Sequence, residues 1–215
     1  MKVIVTCGPS FEPIDEVRRL TNSSTGELGA LLAERLATAC HEVFCLKGSG
    51  ATHAGPATGP RCHVRRFDTN EDLLSLLREI SGAHDIGAVF HAAALCDYRV
   101  ATVCDASGQA CEAPKISSRA GALTIHLEPA TKVIHELRAL FPRGLLVGWK
   151  YELAGTREEA LAKAHSQIIE SQTNLCVLNG RAAGEGFSVC DPSGELSQWQ
   201  TKTALCAELV RRVSG

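Results

Sequence analysis

A chain of 215 residues, 45% of them hydrophobic, has the material for the buried core of one α/β domain. A formal charge of −2 leaves no basic excess for nucleic acid or an anionic membrane surface, and no apolar run approaches membrane-spanning length. The ten cysteines include no Cys-x-x-Cys pair and fall mostly in apolar segments, so they read as small buried hydrophobes in a reducing cytoplasm and not as a disulfide or zinc framework.

In chain order, Val3-Ile4-Val5-Thr6 is a buried-strand run ended by Cys7-Gly8-Pro9-Ser10. Met1-Lys2 leads straight into it, so no signal peptide is expected. Residues 11–19 read as a mixed-charge loop. Thr21-Asn22-Ser23-Ser24-Thr25-Gly26-Glu27-Leu28-Gly29-Ala30 then opens a helix whose apolar face is Leu28, Leu31, Leu32 and Leu36. Ser23, Ser24 or Thr25 is expected to cap it. Amide hydrogens at the positive end of such a helix suit phosphate. The plain alternative is a capped helix packed on a sheet by its glycines, and the stretch alone supports both. The glycines come too late after the first strand for a dinucleotide fingerprint.

Strands follow at residues 41–48 and 62–67, separated by a Gly-, Ala-, Thr- and Pro-rich loop. Thr69 or Asn70 is expected to cap a helix with Leu73, Leu74, Leu77 and Ile80 on one face, and residues 86–94 form an apolar strand. Residues 100–113 lack periodicity and read as a flexible excursion. The pattern then predicts strands over 122–127, 144–149 and 175–179, helices over 130–140, 156–172 and 201–213, and a hairpin turning at Asp191-Pro192-Ser193-Gly194. The alternation predicts a single domain over residues 1–215: a three-layer, Rossmann-like, doubly wound and mostly parallel sheet with a small hairpin or loop excursion. Ligands of such sheets bind at the C-terminal strand ends.

At or near those ends stand Asn22, His91, Asp97, Lys115, Lys150, Glu152 and Asn179. The small residues Ala92-Ala93-Ala94 before Asp97 let a flat ligand lie on the backbone, although an Asp there also caps a turn. Lys115 is a lone cation in a Ser- and Gly-rich segment. It reads either as a lysine on a loop that closes on phosphate or as a solvated surface lysine. His91 reads as a packed strand-end histidine. Cys104 and Cys111 lie in a looser segment where pairing or metal binding is open, with no histidine spacing to support a metal. No Ser/His/Asp set, nucleophile elbow or Walker loop is present.

Five stretches carry a further likeness. They are Val5-Thr6-Cys7-Gly8-Pro9-Ser10 with Glu12-Pro13-Ile14-Asp15 and Val17-Arg18; Thr21 to Gly29; Ala92-Ala93-Ala94 with Asp97-Tyr98; Lys115-Ile116-Ser117-Ser118 leading to Lys132-Val133-Ile134; and Val147-Gly148-Trp149-Lys150 through to Asn179. Together they resemble the phosphopantothenate–cysteine ligases (phosphopantothenoylcysteine synthetases) of coenzyme A biosynthesis, in the stand-alone branch without a decarboxylase domain. The resemblance implies two steps. A nucleoside triphosphate, CTP in preference to ATP, activates the carboxylate of 4'-phosphopantothenate as an acyl nucleotidylate, and the amine of cysteine then attacks the acyl carbon. It assigns Asn22 and Lys115 as catalytic and Ser23, Ser24, Gly26, Ala92, Ala93, Asp97, Ala130 and Trp149 to the nucleotide. Arg18, Asn22 and Ala94 go to the substrate. Mg²⁺ is expected with the triphosphate, with no metal ligand in the protein, in a cytoplasmic homodimer whose partner contact is sought in residues 100–120. Trp149 stands where relatives carry Phe, and Phe11, Glu170, Asn174 and Arg181 are further departures. Two other readings share part of the pattern: a short-chain-dehydrogenase-like NAD(P) oxidoreductase, which lacks its Tyr-x-x-x-Lys pair here, and a nucleotide-binding relative without turnover.

Overall fold

The computed structural model describes residues 1–214, apart from the side chains of Ala120 and Leu196. Gly215, the end of the expected domain, lies outside the described residues. The strands are β1 (Lys2–Cys7), β2 (Phe11–Pro13), β3 (Arg19–Thr21), β4 (Glu42–Gly48), β5 (Cys62–Phe67), β6 (Ala88–His91), β7 (Tyr98–Cys104), β8 (Thr124–Pro129), β9 (Leu145–Tyr151), β10 (Leu175–Asn179), β11 (Phe187–Asp191) and β12 (Gly194–Trp199). The α-helices are α1 (Glu27–Thr38), α2 (Asn70–Ala83), α3 (Val133–Leu140), α4 (Arg157–Ser171) and α5 (Lys202–Ser214). Eight strands form one sheet in the order β12-β11-β10-β9-β6-β1-β4-β5. The six from β10 to β5 are parallel, and the β11–β12 hairpin adds an antiparallel edge.

Side chains alternate across this sheet and so feed two layers. Val3, Val5 and Cys7 pack with Leu32 and Leu36 of α1 and Leu205 and Leu209 of α5. Ile4, Phe44 and Leu46 face the other way, onto Leu73 and Leu77 of α2 and Val133 and Leu137 of α3. Cys176 and Leu178 pack on α4 through Ala160, Ala164 and Ile168. Burial on both faces explains why these strands read as continuous apolar runs. The chain winds outward from β1 to β4 and β5, then returns to the far side of β1 as β6. The switch point therefore lies between the C-terminal ends of β1 and β6, where a doubly wound sheet opens a crevice. Backbone pairing runs on past both strands, Ala92 N to Thr6 O and Ala94 N to Gly8 O, and stiffens the crevice floor.

Capping boxes start two helices: Thr69 with Asp72 on α2 and Thr156 with Glu159 on α4. Each contributes about 1 kcal/mol. Three sequence expectations need correction. None of Ser23, Ser24 and Thr25 is the N-cap of α1; that residue is Gly26, left-handed at φ 76°, and of the three hydroxyls only Thr25 Oγ1 reaches a helix amide, that of Glu27, at 3.3 Å. The reason is crowding, since a Cβ at Gly26 would lie 3.0 Å from Ala51 Cβ and 3.3 Å from Gly8 Cα. Residues 11–19 are a hairpin, β2–β3, whose turn is held by Asp15 Oδ1 accepting from the Val17 and Arg18 amides. The expected flexible excursion begins as β7, which pairs antiparallel with β8 in a separate ribbon. Both ribbons are largely solvent-exposed, and β7 carries a bulge between Val100 and Thr102, so no apolar alternation marks β2, β3 or β7, whereas β8 falls on the strand expected over 122–127. Cys104 and Cys111 are free thiols.

Gly29 packs against β1 so tightly that a Cβ there would fall inside the radius of Cys7 Cβ. Gly29→Ala is expected to destabilise by about 1–3 kcal/mol through overpacking. A fall in Tm of about 2–10 °C by calorimetry would show it. An unchanged Tm would mean that α1 slides freely on β1.

Candidate active site

A cavity of about 780 Å³ lies at the switch point. One wall is the turn from Asn22 to Gly29 with Lys202 beside it, the floor runs from His91 to Asp97, and the rest of the lining comes from Thr131 to Ile134, Trp149 to Tyr151, Asn179 and Phe187. The turn is pinned to the floor: Asn22 Nδ2 donates to Leu95 O at 2.8 Å, and Thr21 Oγ1 donates to Ser10 O at 2.7 Å. Gly26 offers no side chain to cap α1, and among the described residues the only side chain that meets an amide at the start of the helix is Thr25, whose Oγ1 accepts from Glu27 N at 3.3 Å. The remaining amides of that turn are donors of the kind that suits phosphate oxygens.

Of the sequence-assigned residues, Asn22, Ser23, Ser24, Gly26, Ala92, Ala93, Ala94, Asp97 and Trp149 line this one cavity. Ala130 stands behind it, its amide donating to Asp97 O at 2.9 Å. Arg18 and Lys115 are not among the lining residues. Arg18 donates to Ile116 O and pairs with Asp15 at 3.6 Å, while Ile116 N donates to Asp15 Oδ2 at 3.2 Å. The two cations therefore share one outlying patch. Desolvation works to raise the Asp15 pKa, but the amides of Val17, Ile116 and Arg18 outweigh it and hold the carboxyl below its ordinary value.

Three lysines do line the cavity, and each faces an acid. Lys132 pairs with Asp97, Lys150 with Glu152 at 3.7 Å, and Lys202 with Glu27. Lys202 was missed in the sequence. Its signal is a lysine in the first turn of α5, where the helix dipole disfavours a cation unless an anion offsets it. Glu27, in the first turn of α1, is that anion, and the hydrogen bond from Lys202 is the main cause of its lowered pKa. Asn70 was considered only as a cap. It is instead a buried wall residue whose amide donates to Cys96 O at 2.9 Å and Thr131 O at 3.1 Å. Asn70 Oδ1 and Trp149 Nε1 are buried without a partner among the described residues. Such groups cost about 1–3 kcal/mol each, which argues that they are kept for something other than stability.

This is a doubly wound α/β domain with its ligand crevice at the switch point, floored by small residues and walled by a glycine turn. Residues 1–212 match the model of the DNA/pantothenate metabolism flavoprotein C-terminal domain, and the chain belongs to that family, as the resemblance implied. It is 29% identical over 178 residues to the coenzyme A biosynthesis bifunctional protein CoaBC of Thermococcus kodakarensis, across 83% of this chain and 41% of that protein. The CoaBC protein of Bacillus subtilis is 28% identical over 86% of this chain and 42% of its own length. The chain thus spans less than half of these relatives. The fold is shared with the DNA/pantothenate metabolism flavoprotein of Streptococcus pneumoniae, at a TM-score of 0.85 and 24% identity over 99% of this chain and 98% of that one. It is also shared with a Cab2 mutant in complex with phosphopantothenate-cysteine, at a TM-score of 0.75 and 16% identity over 98% and 85%.

His91, on the floor, is 6% exposed and its Nδ1 lies 2.9 Å from Thr6 Oγ1. Desolvation lowers its pKa from 6.5 to about 4. Between those values the unfolded chain binds a proton that the folded chain refuses. Stability is therefore full above about pH 6.5 and falls as the pH drops through the window. Relative to His91→Gln, the wild type is expected to lose about 3 kcal/mol between pH 7 and pH 4 in urea unfolding. Parallel pH profiles for the two proteins would refute a neutral buried imidazole.

Proposed function

We propose that the chain is a phosphopantothenate–cysteine ligase that works through an acyl nucleotidylate, with CTP as the preferred nucleotide and ATP as the other candidate. The observation that carries this reading is the uncapped glycine turn at Asn22–Gly29 facing the Ala92–Asp97 floor across one cavity. That cavity is of a size to take a nucleotide with a second small molecule beside it. Membership of the pantothenate-metabolism family supports the substrate class.

In this reading a carboxylate oxygen of 4'-phosphopantothenate attacks the α-phosphorus, and the bond to the β-phosphate oxygen breaks to release pyrophosphate. The amine of cysteine then attacks the acyl carbon, the nucleoside monophosphate leaves, and the amine gives up its proton. Charge grows on the α-phosphate in the first step and on the acyl oxygen in the second. Preorganised donors there lower both barriers. Ser23, Ser24, Gly26 and the first amides of α1 serve the phosphates, and Asn22 serves the acyl group. Asp97 takes the ribose or base; Ala92, Ala93, Ala130 and Trp149 shape the base pocket. Ala94 abuts the substrate. Mg²⁺ enters as part of the nucleotide co-substrate.

Arg18, for the substrate phosphate, and Lys115, for the α-phosphate, are delivered by a second copy. The ribbon supports a homodimer: Tyr98 and Leu127 lie on one ribbon face and are 57% and 48% exposed, with Val17 and Leu20 exposed on the nearby hairpin. The cytoplasm is the proposed compartment. Among the described residues no helix is long and apolar enough to cross a membrane.

The test is pyrophosphate release with 4'-phosphopantothenate, Mg²⁺ and either CTP or ATP, with and without cysteine. Release that depends on phosphopantothenate, with cysteine required for the amide product, is expected. Asn22→Ala and Lys115→Ala are each expected to lower kcat by about 10²–10³. No release from folded protein with either nucleotide would overturn the ligase reading and favour NAD(P) binding or nucleotide binding without turnover.

A further inference from the structure

Among the described residues two carboxylates line the cavity, Asp97 at the end of its floor and Glu27 in the first turn of α1. Asp97 faces Lys132 and the proposed nucleotide. Glu27 directly follows the glycine turn, and its partner is Lys202. The edge hairpin delivers Lys202 to that point. Phe187 at the start of β11 is in register with Trp199 at the end of β12, and Lys202 opens α5 just beyond. One turn further along α5, the Cys206 thiol donates to Leu28 O at 3.9 Å, so the starts of α1 and α5 lie side by side. Leu28 and Phe187 line the cavity and pack onto the same buried cluster. An anion, a cation and an apolar wall thus meet at the α5 end of the crevice.

The side chains of Lys202 and Glu27 keep 42% and 38% of their accessible surface, and an ion pair so exposed does little for stability. It is open to a ligand, and its chemistry says which. A phosphate drawn to Lys202 would meet the Glu27 carboxylate beside it, whereas a ligand that carries both charges satisfies the two at once. An α-amino acid is such a ligand: its carboxylate accepts from Lys202, and its ammonium donates to Glu27, whose carboxyl Lys202 holds below the ordinary carboxylate range. Cysteine adds a small, polarisable sulfur, which suits Leu28 and the ring of Phe187. The position suits the reaction as well, because Glu27 adjoins the turn proposed to hold the acyl group that the amine attacks.

We propose that the Glu27–Lys202 pair is the site of the amino-acid substrate, Lys202 taking the α-carboxylate and Glu27 the ammonium, with the thiol side chain against Leu28 and Phe187. This rests on the ligase reading for the choice of cysteine. Steady-state KM values are measured for cysteine, CTP and phosphopantothenate. Beside them, kcat/KM is measured for cysteine and for cysteamine, which keeps the amine and the thiol but has no carboxylate. Glu27→Gln and Lys202→Met are each expected to raise the KM for cysteine about 10–100-fold, with the other two KM values unchanged. The wild type is expected to prefer cysteine to cysteamine by a similar factor, and Lys202→Met to lose that preference. Glu27→Gln is expected to weaken both amines alike.

A pair that merely staples α1 to α5 would lower Tm and leave the cysteine-to-cysteamine preference where it was. That preference unchanged in Lys202→Met, or a cysteine KM unchanged in Glu27→Gln, overturns the inference while turnover upholds the ligase reading. Should the folded protein show no turnover, saturation-transfer NMR of L-cysteine in the presence of Mg²⁺–CTP decides. Cysteine signals from the wild type that vanish in both variants support the amino-acid site although the ligase reading fails. No signal from the wild type, or a signal that survives in either variant, overturns it.

Discussion

The site depends on how closely the start of α1 approaches the end of β1. Gly29 backs onto Cys7 at a separation that leaves no room for a Cβ, and Gly26 onto Gly8 and Ala51 at one where a Cβ would be crowded. That contact sets the rest in order. It places a left-handed glycine at the helix start, which removes the N-cap side chain and sets the first turn of α1 against the cavity. It also brings the Asn22–Gly29 turn over the strand ends, where Asn22 can reach Leu95 O. A wider spacing would admit an ordinary serine cap, and the helix would then spend on itself the donors that a phosphate needs.

The lysines divide by burial, and the division is informative. Lys47 is 2% exposed and gives its hydrogens to the carbonyls of His53 and Gly55, so it ties down the loop that carries Ala51 against Gly8 and Gly26. A buried cation so fully engaged is a structural fixture. Lys132, Lys150 and Lys202 are partly exposed, and each faces an acid at the cavity rim. Pairs of this kind contribute about 0–1 kcal/mol, so an arriving polyanion can exchange places with the carboxylates at little cost. The cavity rim thus carries three cations, each balanced by an acid.

What the sequence revealed follows from where water is. Strands buried on both faces gave unbroken apolar runs, so β1, β4, β6, β9 and β10 were legible to within a few residues. The capping boxes at Thr69 and Thr156 and the Asp191–Gly194 turn were legible because their chemistry is local. Of the two ribbons only β8 was legible, from the alternation over 122–127; β2, β3 and β7 were not, since short strands solvated on both sides have little reason to alternate. Most of the site was readable as strand-end residues. What escaped were Lys202 and Asn70, whose roles depend on partners such as Glu27, Cys96 and Thr131 that only the tertiary fold brings near.

The same logic bears on Lys115. A lysine on a mobile loop was expected to close over its own cavity, but the segment that carries it is tethered. Glu16 N donates to Pro114 O, Ile116 N to Asp15 Oδ2 and Arg18 to Ile116 O, so hairpin and segment form one patch. Swinging Lys115 inward would break all three contacts and strip Asp15 of hydrogen bonds that hold it ionised. Keeping the patch intact and docking it onto a second molecule costs none of them. The exposed Val17, Leu20, Tyr98 and Leu127 beside it supply apolar surface for that docking. The tethering of the segment therefore favours the proposed homodimer, in which Lys115 would serve a neighbour's cavity and not its own.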